Sequence, residues 1–162
     1  MIKVAICDDD IQFIYKLEQS IFRFAEMKRI KVDVDGYTSG AEFIQKLQQS
    51  ERYDLLFLDI ELGDSSGIIV GNWIRSQIQY ESMQIVFVSA KEMYAMQLFD
   101  LRPMNFLVKP IQQERVDYIL DEYERLYQFQ PHIIEIGKGR NAIRIEEHSV
   151  FYLQSLARKI QV

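Results

Sequence analysis

Short runs of β-branched and other apolar residues alternate, over the first 128 positions, with longer stretches in which apolar residues recur every three or four places. The runs Ile2–Cys7, Lys31–Tyr37, Leu55–Asp59, Ile85–Ser89 and Met104–Val108 read as strands, most of them apolar enough to be buried on both faces of a sheet. Between them the period is helical. Ile14, Leu17, Ile21 and Phe24 form the stripe of a first helix, and Ser39 is placed to cap a second that carries Phe43, Ile44 and Leu47. Gly67 opens a third with Val70, Trp73, Ile74 and Ile78; a fourth runs near Lys91–Leu101; the fifth carries Val116, Ile119, Leu120, Tyr123 and Leu126. This alternation predicts an α/β fold, a five-stranded parallel doubly wound sheet of the flavodoxin type covered on both faces. In such a sheet the reactive crevice lies at the carboxyl ends of the strands.

From His132 onward the period becomes two. Residues 132–136, 142–145 and 149–153 read as antiparallel strands, with Gly137-Lys138-Gly139 as a turn too short to cradle a phosphate. Pro131 suits a helix stop, so the chain divides into a domain over 1–128, a linker at 129–131 and a short all-β fragment over 132–162. So few strands bury little by themselves, and they read as the opening of a domain.

Charge follows the same division. Residues 1–130 carry 14 Lys/Arg and 21 Asp/Glu, whereas residues 131–162 carry five basic and three acidic residues. The lone Cys7 can form no internal disulfide, which fits a reducing compartment, and with His132 and His148 it matches no zinc-ligand spacing. Apolar stretches such as Leu55–Leu58 and Ile85–Val88 are far shorter than the roughly 20 residues a membrane helix needs. The N-terminus lacks the pattern of a secretory leader, and a cytoplasmic protein without membrane contact is expected.

The candidate chemistry stands just after the strands. Asp8, Asp9 and Asp10 follow the first, Asp59 ends the third, Ser89 ends the fourth and Lys109-Pro110 follows the fifth. A doubly wound sheet gathers these ends on one rim. Each pair of carboxylates there repels by up to about 4 kcal/mol at 4 Å and an effective dielectric near 20. Lys109 offsets one of the three charges of Asp8, Asp9 and Asp59, and an oxygen-seeking divalent cation, Mg2+ or Mn2+, would offset the other two. A neutralised pocket of this kind can accept a phosphoryl group on Asp59, with Lys109 and the Ser89 hydroxyl stabilising the transferring oxygens.

Several stretches together make the match specific: Val4-Ala5-Ile6-Cys7-Asp8-Asp9, Asp54-Leu55-Leu56-Phe57-Leu58-Asp59-Ile60, Gly67, Val86-Phe87-Val88-Ser89-Ala90 and Phe106-Leu107-Val108-Lys109-Pro110. Through them the chain resembles the response-regulator receiver domains of bacterial two-component signalling over roughly residues 1–128. The resemblance implies that Asp59 accepts a phosphoryl group from a sensor histidine kinase. It also implies that Asp8, Asp9 and Asp59 hold the metal with the Glu61 backbone carbonyl, that Ser89 and Phe106 are a switch pair, and that the Lys109-Pro110 bond is cis. Dimerisation through the fourth helix, fifth strand and fifth helix follows from the same likeness. The tail resembles the first strands of a LytTR-type DNA-binding domain, which would bind promoter DNA in a full-length protein but not in this incomplete form. The chain departs from the pattern at Leu62-Gly63-Asp64-Ser65-Ser66, which lacks the usual proline, and at Phe106, where tyrosine is common.

Each residue taken singly also has a purely structural explanation. The acidic triplet could complement a helix dipole, Asp59 and Ser89 could be helix caps, Lys109 could lie on the surface, and Phe106 shares the register of Met104 and Val108. Cys7 reads as a small buried strand residue, and Met93, Met96 and Phe99 read either as core or as a partner surface. Two other function classes compete. A magnesium-dependent phosphatase with an aspartyl nucleophile would use Glu61, two residues on, as general acid. A flavodoxin-like flavin binder would need a Ser/Thr/Gly-rich first loop, where Asp8-Asp9-Asp10 would repel its phosphate.

Overall fold

In a computed structural model the chain forms two compact units, residues 1–120 and 121–162. The structure describes residues 1–128, 133–136, 143–146, 154–156 and 159–161. The expected linker at 129–131 and the expected strand at 149–153 lie outside the described residues.

The first unit is built on five strands: β1 (Ile2–Cys7), β2 (Val32–Tyr37), β3 (Leu55–Asp59), β4 (Gln84–Ser89) and β5 (Asn105–Val108). All neighbours are parallel, in the order β2-β1-β3-β4-β5. The helices are α1 (Ile11–Lys28), α2 (Gly40–Gln48), α3 (Gly67–Ser76) and α4 (Gln113–Tyr123). Strands of period two split the central sheet into two buried faces. Ala5, Cys7, Leu56, Leu58, Ile85 and Phe87 join Phe43 and Leu47 of α2 and Val70 and Ile74 of α3 in one apolar cluster. The alternating residues Val4, Ile6, Leu55, Phe57, Val86 and Val88 are buried as well. Ile14, Leu17, Ile21 and Phe24 on α1 and Val116, Ile119 and Leu120 on α4 are buried too. Each such side chain contributes about 1.5–3 kcal/mol on burial.

The edge strands differ from the centre. On β5 only Leu107 is buried, Phe106 is partly buried against the α2/α3 cluster, and Val108 is exposed. Phe106 thus meets the core in part, whereas Val108, in the same register, is exposed. An edge strand has one neighbour instead of two, and the cover over that face is thin.

The helix expected near Lys91–Leu101 is present as a 3₁₀ helix over Glu92–Leu101, ended by Arg102 in the left-handed region at φ 47°. Ten residues is long for this form, and the sequence explains it. Side chains three apart eclipse in a 3₁₀ helix, and here Leu98 and Leu101 are buried whereas Met93, Met96 and Phe99 are all at least 70% exposed. The period of three suits three residues per turn.

Beyond α4 the chain makes a π-helical turn over Glu124–Gln128. In the second unit β6 (Ile133–Ile136) pairs antiparallel with β7 (Ile143–Glu146), and β8 (Gln154–Leu156) pairs antiparallel with β9 (Lys159–Gln161). The first two lie where period-two alternation predicts them.

Candidate functional site

Sheet register assembles the site. Cys7 stands beside Leu58, so the next residues of both strands, Asp8 and Asp59, emerge together. Val88 stands beside Asp59, and Ser89 beside Val108, so Ser89 and Lys109 follow on the same rim. Asp8, Asp9 and Asp59 offer carboxylate oxygens that all lie within 4.8 Å of one another.

Lys109 closes this group across 101 positions of sequence, its Nζ donating to Asp8 Oδ2 at 2.5 Å and to Asp59 Oδ2 at 2.9 Å. The Lys109-Pro110 peptide bond is cis. The other carboxylate oxygens have backbone donors: Asp10 N–H to Asp8 Oδ1 at 3.0 Å and Glu61 N–H to Asp59 Oδ1 at 3.3 Å. Asp8 and Asp59 are buried, whereas Asp9 is exposed. Burial pushes the Asp8 carboxyl above its ordinary value despite the opposing hydrogen bonds from Lys109 and Asp10. Burial also works against the charge of Lys109, but its bonds to Asp8 and Asp59 outweigh that penalty and raise its pKa.

Three local features shape the rim. Asp10 caps α1, accepting from the Gln12 and Phe13 amides, so the acidic triplet does serve a helix end, but through its third member alone. Gly67 starts α3 directly against β3: a Cβ there would stand 2.0 Å from the Asp59 carbonyl oxygen, so no larger residue fits. Ser89 is fully buried, and its Oγ accepts from the Lys91 amide at 3.0 Å in a two-residue turn ahead of the Glu92–Leu101 segment, which no side chain caps.

Other residues at the rim escape a reading of motifs. The Glu61 side chain pairs with Lys91 Nζ at 2.5 Å and accepts from the Tyr94 hydroxyl at 3.5 Å. Gly63 lies so close to Asp9 that a Cβ would be 3.2 Å from Oδ2. Asp64 accepts from the Gly40 and Ala41 amides at 3.2 and 3.1 Å, anchoring the loop after Asp59 to the start of α2, where the usual proline is missing. Phe13 lies beneath Lys109, its ring centroid 4.2 Å from Nζ. The sequence signals for these are faint: Phe13 borders the α1 stripe, and Asp64 and Lys91 meet partners 24 and 30 positions away. Cys7 is buried, and burial pushes its thiol far up, consistent with an inert core residue.

The donor set is all oxygen and, against the one ammonium, leaves two negative charges, which fits a hard divalent cation. Among the described residues no helix is long and apolar enough to cross a membrane.

The response regulator receiver domain model matches residues 4–121. The chain is 29% identical over 151 residues to the sensory transduction protein LytT of Bacillus cereus, covering 93% of this chain and 58% of that one. It is 28% identical over 128 residues to the transcriptional regulatory protein YpdB of Escherichia coli, covering 79% of this chain and 50% of that one. The chain thus spans little more than half the length of these relatives. The response regulatory domain of MrkE from Klebsiella pneumoniae superposes with a TM-score of 0.67 at 24% identity, covering 79% of this chain and 99% of that one.

Proposed function

Since the chain belongs to the response-regulator receiver domain family, we propose that Asp59 accepts a phosphoryl group from a sensor histidine kinase and that the resulting change controls transcription through a C-terminal DNA-binding domain. One observation carries the reading: Lys109 joins the buried carboxylates of Asp8 and Asp59 at the strand ends, with Asp9 beside them at the surface. In the transfer, a carboxylate oxygen of Asp59 bonds to the phosphorus while the phosphorus–nitrogen bond to the donor imidazole breaks. The electron pair leaves with the imidazole, which takes up a proton. Lys109 turns its ammonium from the Asp59 carboxylate to a phosphoryl oxygen, and the Ser89 hydroxyl donates to another. Attack of water on phosphorus later releases phosphate and restores the carboxylate. The protein is accordingly a phosphoacceptor, catalysing only its own transfer and hydrolysis.

Asp8, Asp9 and Asp59, with the Glu61 carbonyl, are the residues that would hold Mg2+ or Mn2+. A cation bound there supplies charge to the phosphoryl oxygens as they transfer. The paired acids Asp8 and Asp9 after β1 and the Lys109-Pro110 pair after β5 count against the phosphatase alternative, because they fit the receiver pattern better.

The switch follows from the buried Ser89 and the half-covered Phe106. Drawing the Ser89 loop towards a phosphoryl oxygen opens space for the ring, which has no hydroxyl and acts through packing alone. The responding surface is the Glu92–Leu101 segment, β5 and α4, and its output is a dimer. We read residues 1–128 as the receiver, 129–131 as linker and 132–162 as the first part of a LytTR-like domain, too little to bind promoter DNA specifically. A cytoplasmic location fits this role.

Labelling with acetyl phosphate tests the assignment. Asp59→Asn abolishes labelling, Asp9→Ala abolishes its metal dependence, and other phosphomonoesters are not turned over; normal labelling of the Asn variant would overturn it. Sedimentation with and without a phosphoryl mimic reads the dimer, which tightens when the mimic is present.

A further inference from the structure

The Lys109 ammonium has three hydrogens, and the carboxylates of Asp8 and Asp59 take two of them. The ring of Phe13 stands 4.2 Å from the same nitrogen, within the range in which a cation is drawn to the negative face of an aromatic ring. A lysine stem is long and flexible, and one ammonium hydrogen remains beyond those that the two carboxylates take. We infer that Phe13 is a positioning residue that holds the Lys109 ammonium inside the pocket from below.

The backbone of Phe13 is fixed by the α1 cap, its amide donating to Asp10 Oδ1 at 3.3 Å. The half-buried residue borders a cavity of about 150 Å3 that Leu17, Pro110, Ile111 and Val116 also line, beside the segment that follows Lys109. The lysine side chain keeps 22% exposure, enough for water to compete for the third hydrogen if the ring were absent. The inference rests on the reading of Asp59 as phosphoacceptor. When the phosphoryl group arrives, Lys109 gives up its bond to the Asp59 carboxylate, so the ring carries a larger share of the hold on the ammonium during the transfer than before it.

Phe13→Leu removes the aromatic face with little change in volume, and Phe13→Tyr keeps it. The ε-methylene resonance of Lys109 should carry a ring-current displacement in the wild type and in Phe13→Tyr, and lose it in Phe13→Leu. Labelling by acetyl phosphate with saturating Mg2+ should slow about three- to ten-fold in Phe13→Leu, as expected for a partly desolvated cation–ring contact, and recover in Phe13→Tyr. In a Lys109→Ala background Phe13→Leu should have no further effect. Equal rates for the Leu and Tyr variants, an undisplaced resonance in the wild type, or an undiminished Phe13→Leu effect without Lys109 would each overturn the inference. If the wild type itself is not labelled on Asp59, the phosphoacceptor reading fails, while the resonance still decides where the ring holds the lysine.

Discussion

The pocket has a buried side and an open side, and they are built on different principles. On the buried side Asp8, Asp59 and Lys109 meet where water is scarce, so each charge depends on the others, and Gly67 packs directly against the Asp59 backbone. On the open side Asp9, Glu61, Lys91 and Asp64 interact in solvent, where ion pairs are weak and a lost partner is replaced by water. Substitutions in the first set should therefore cost the fold more than substitutions in the second.

The largest expected effect breaks the buried side outright. Lys109→Met leaves two carboxylates facing one another and should destabilise the metal-free protein by about 3 kcal/mol, the low end for a broken buried pair because the lysine is not wholly enclosed. Denaturant unfolding measures the loss. Added Mg2+ should restore part of it, and no restoration would mean that the carboxylates do not share a cation. Next comes Gly67→Ala, whose methyl group would collide with the Asp59 carbonyl. About 1–3 kcal/mol of overpacking is expected, together with slower labelling, because the backbone that aims Asp59 must shift.

On the open side the effects shrink. Asp64→Ala removes the anchor of the loop after Asp59 and should cost about 1 kcal/mol, as loss of a helix cap does. The two backbone amides hold the Asp64 carboxyl below its ordinary value, the Ala41 amide most of all. Its contribution is therefore complete above the unfolded aspartate value of about 3.9 and is lost as pH falls through the lower folded one. The difference in unfolding free energy between wild type and Asp64→Ala should narrow on acidification and stay constant near neutrality. Lys91→Ala should leave stability nearly unchanged, with any difference fading at high salt. A cost for Lys91→Ala as large as that for Lys109→Met would erase the distinction between the two sides.

The same distinction explains what could be read along the chain. Strand boundaries were legible because burial on both faces forces uninterrupted apolar runs, and β1 and β3 begin and end where those runs do. Asp8, Asp59, Ser89 and Lys109 were legible because a parallel sheet brings strand ends together whatever lies between them. Phe13 was not, since an aromatic residue beside an apolar stripe looks the same whether it fills a core or supports a lysine. Asp64 and Lys91 were hidden because their partners lie on other elements and leave no periodic trace. The winding of the Glu92–Leu101 segment escaped too: the pattern shows a helix there, but its spacing of three was legible only once the exposed Met93, Met96 and Phe99 were seen on one line.

That winding sets the length of the segment. At a rise of about 2.0 Å per residue, its ten residues span about 20 Å, whereas α-helical winding at about 1.5 Å would span about 15 Å. Passing from one to the other would draw the segment's ends together by about 5 Å. It would also shear the row of Met93, Met96 and Phe99, setting each member about 60° around the axis from the one before, since three residues no longer complete a turn. A surface that fits a flat partner in one winding would present it with a spiral in the other.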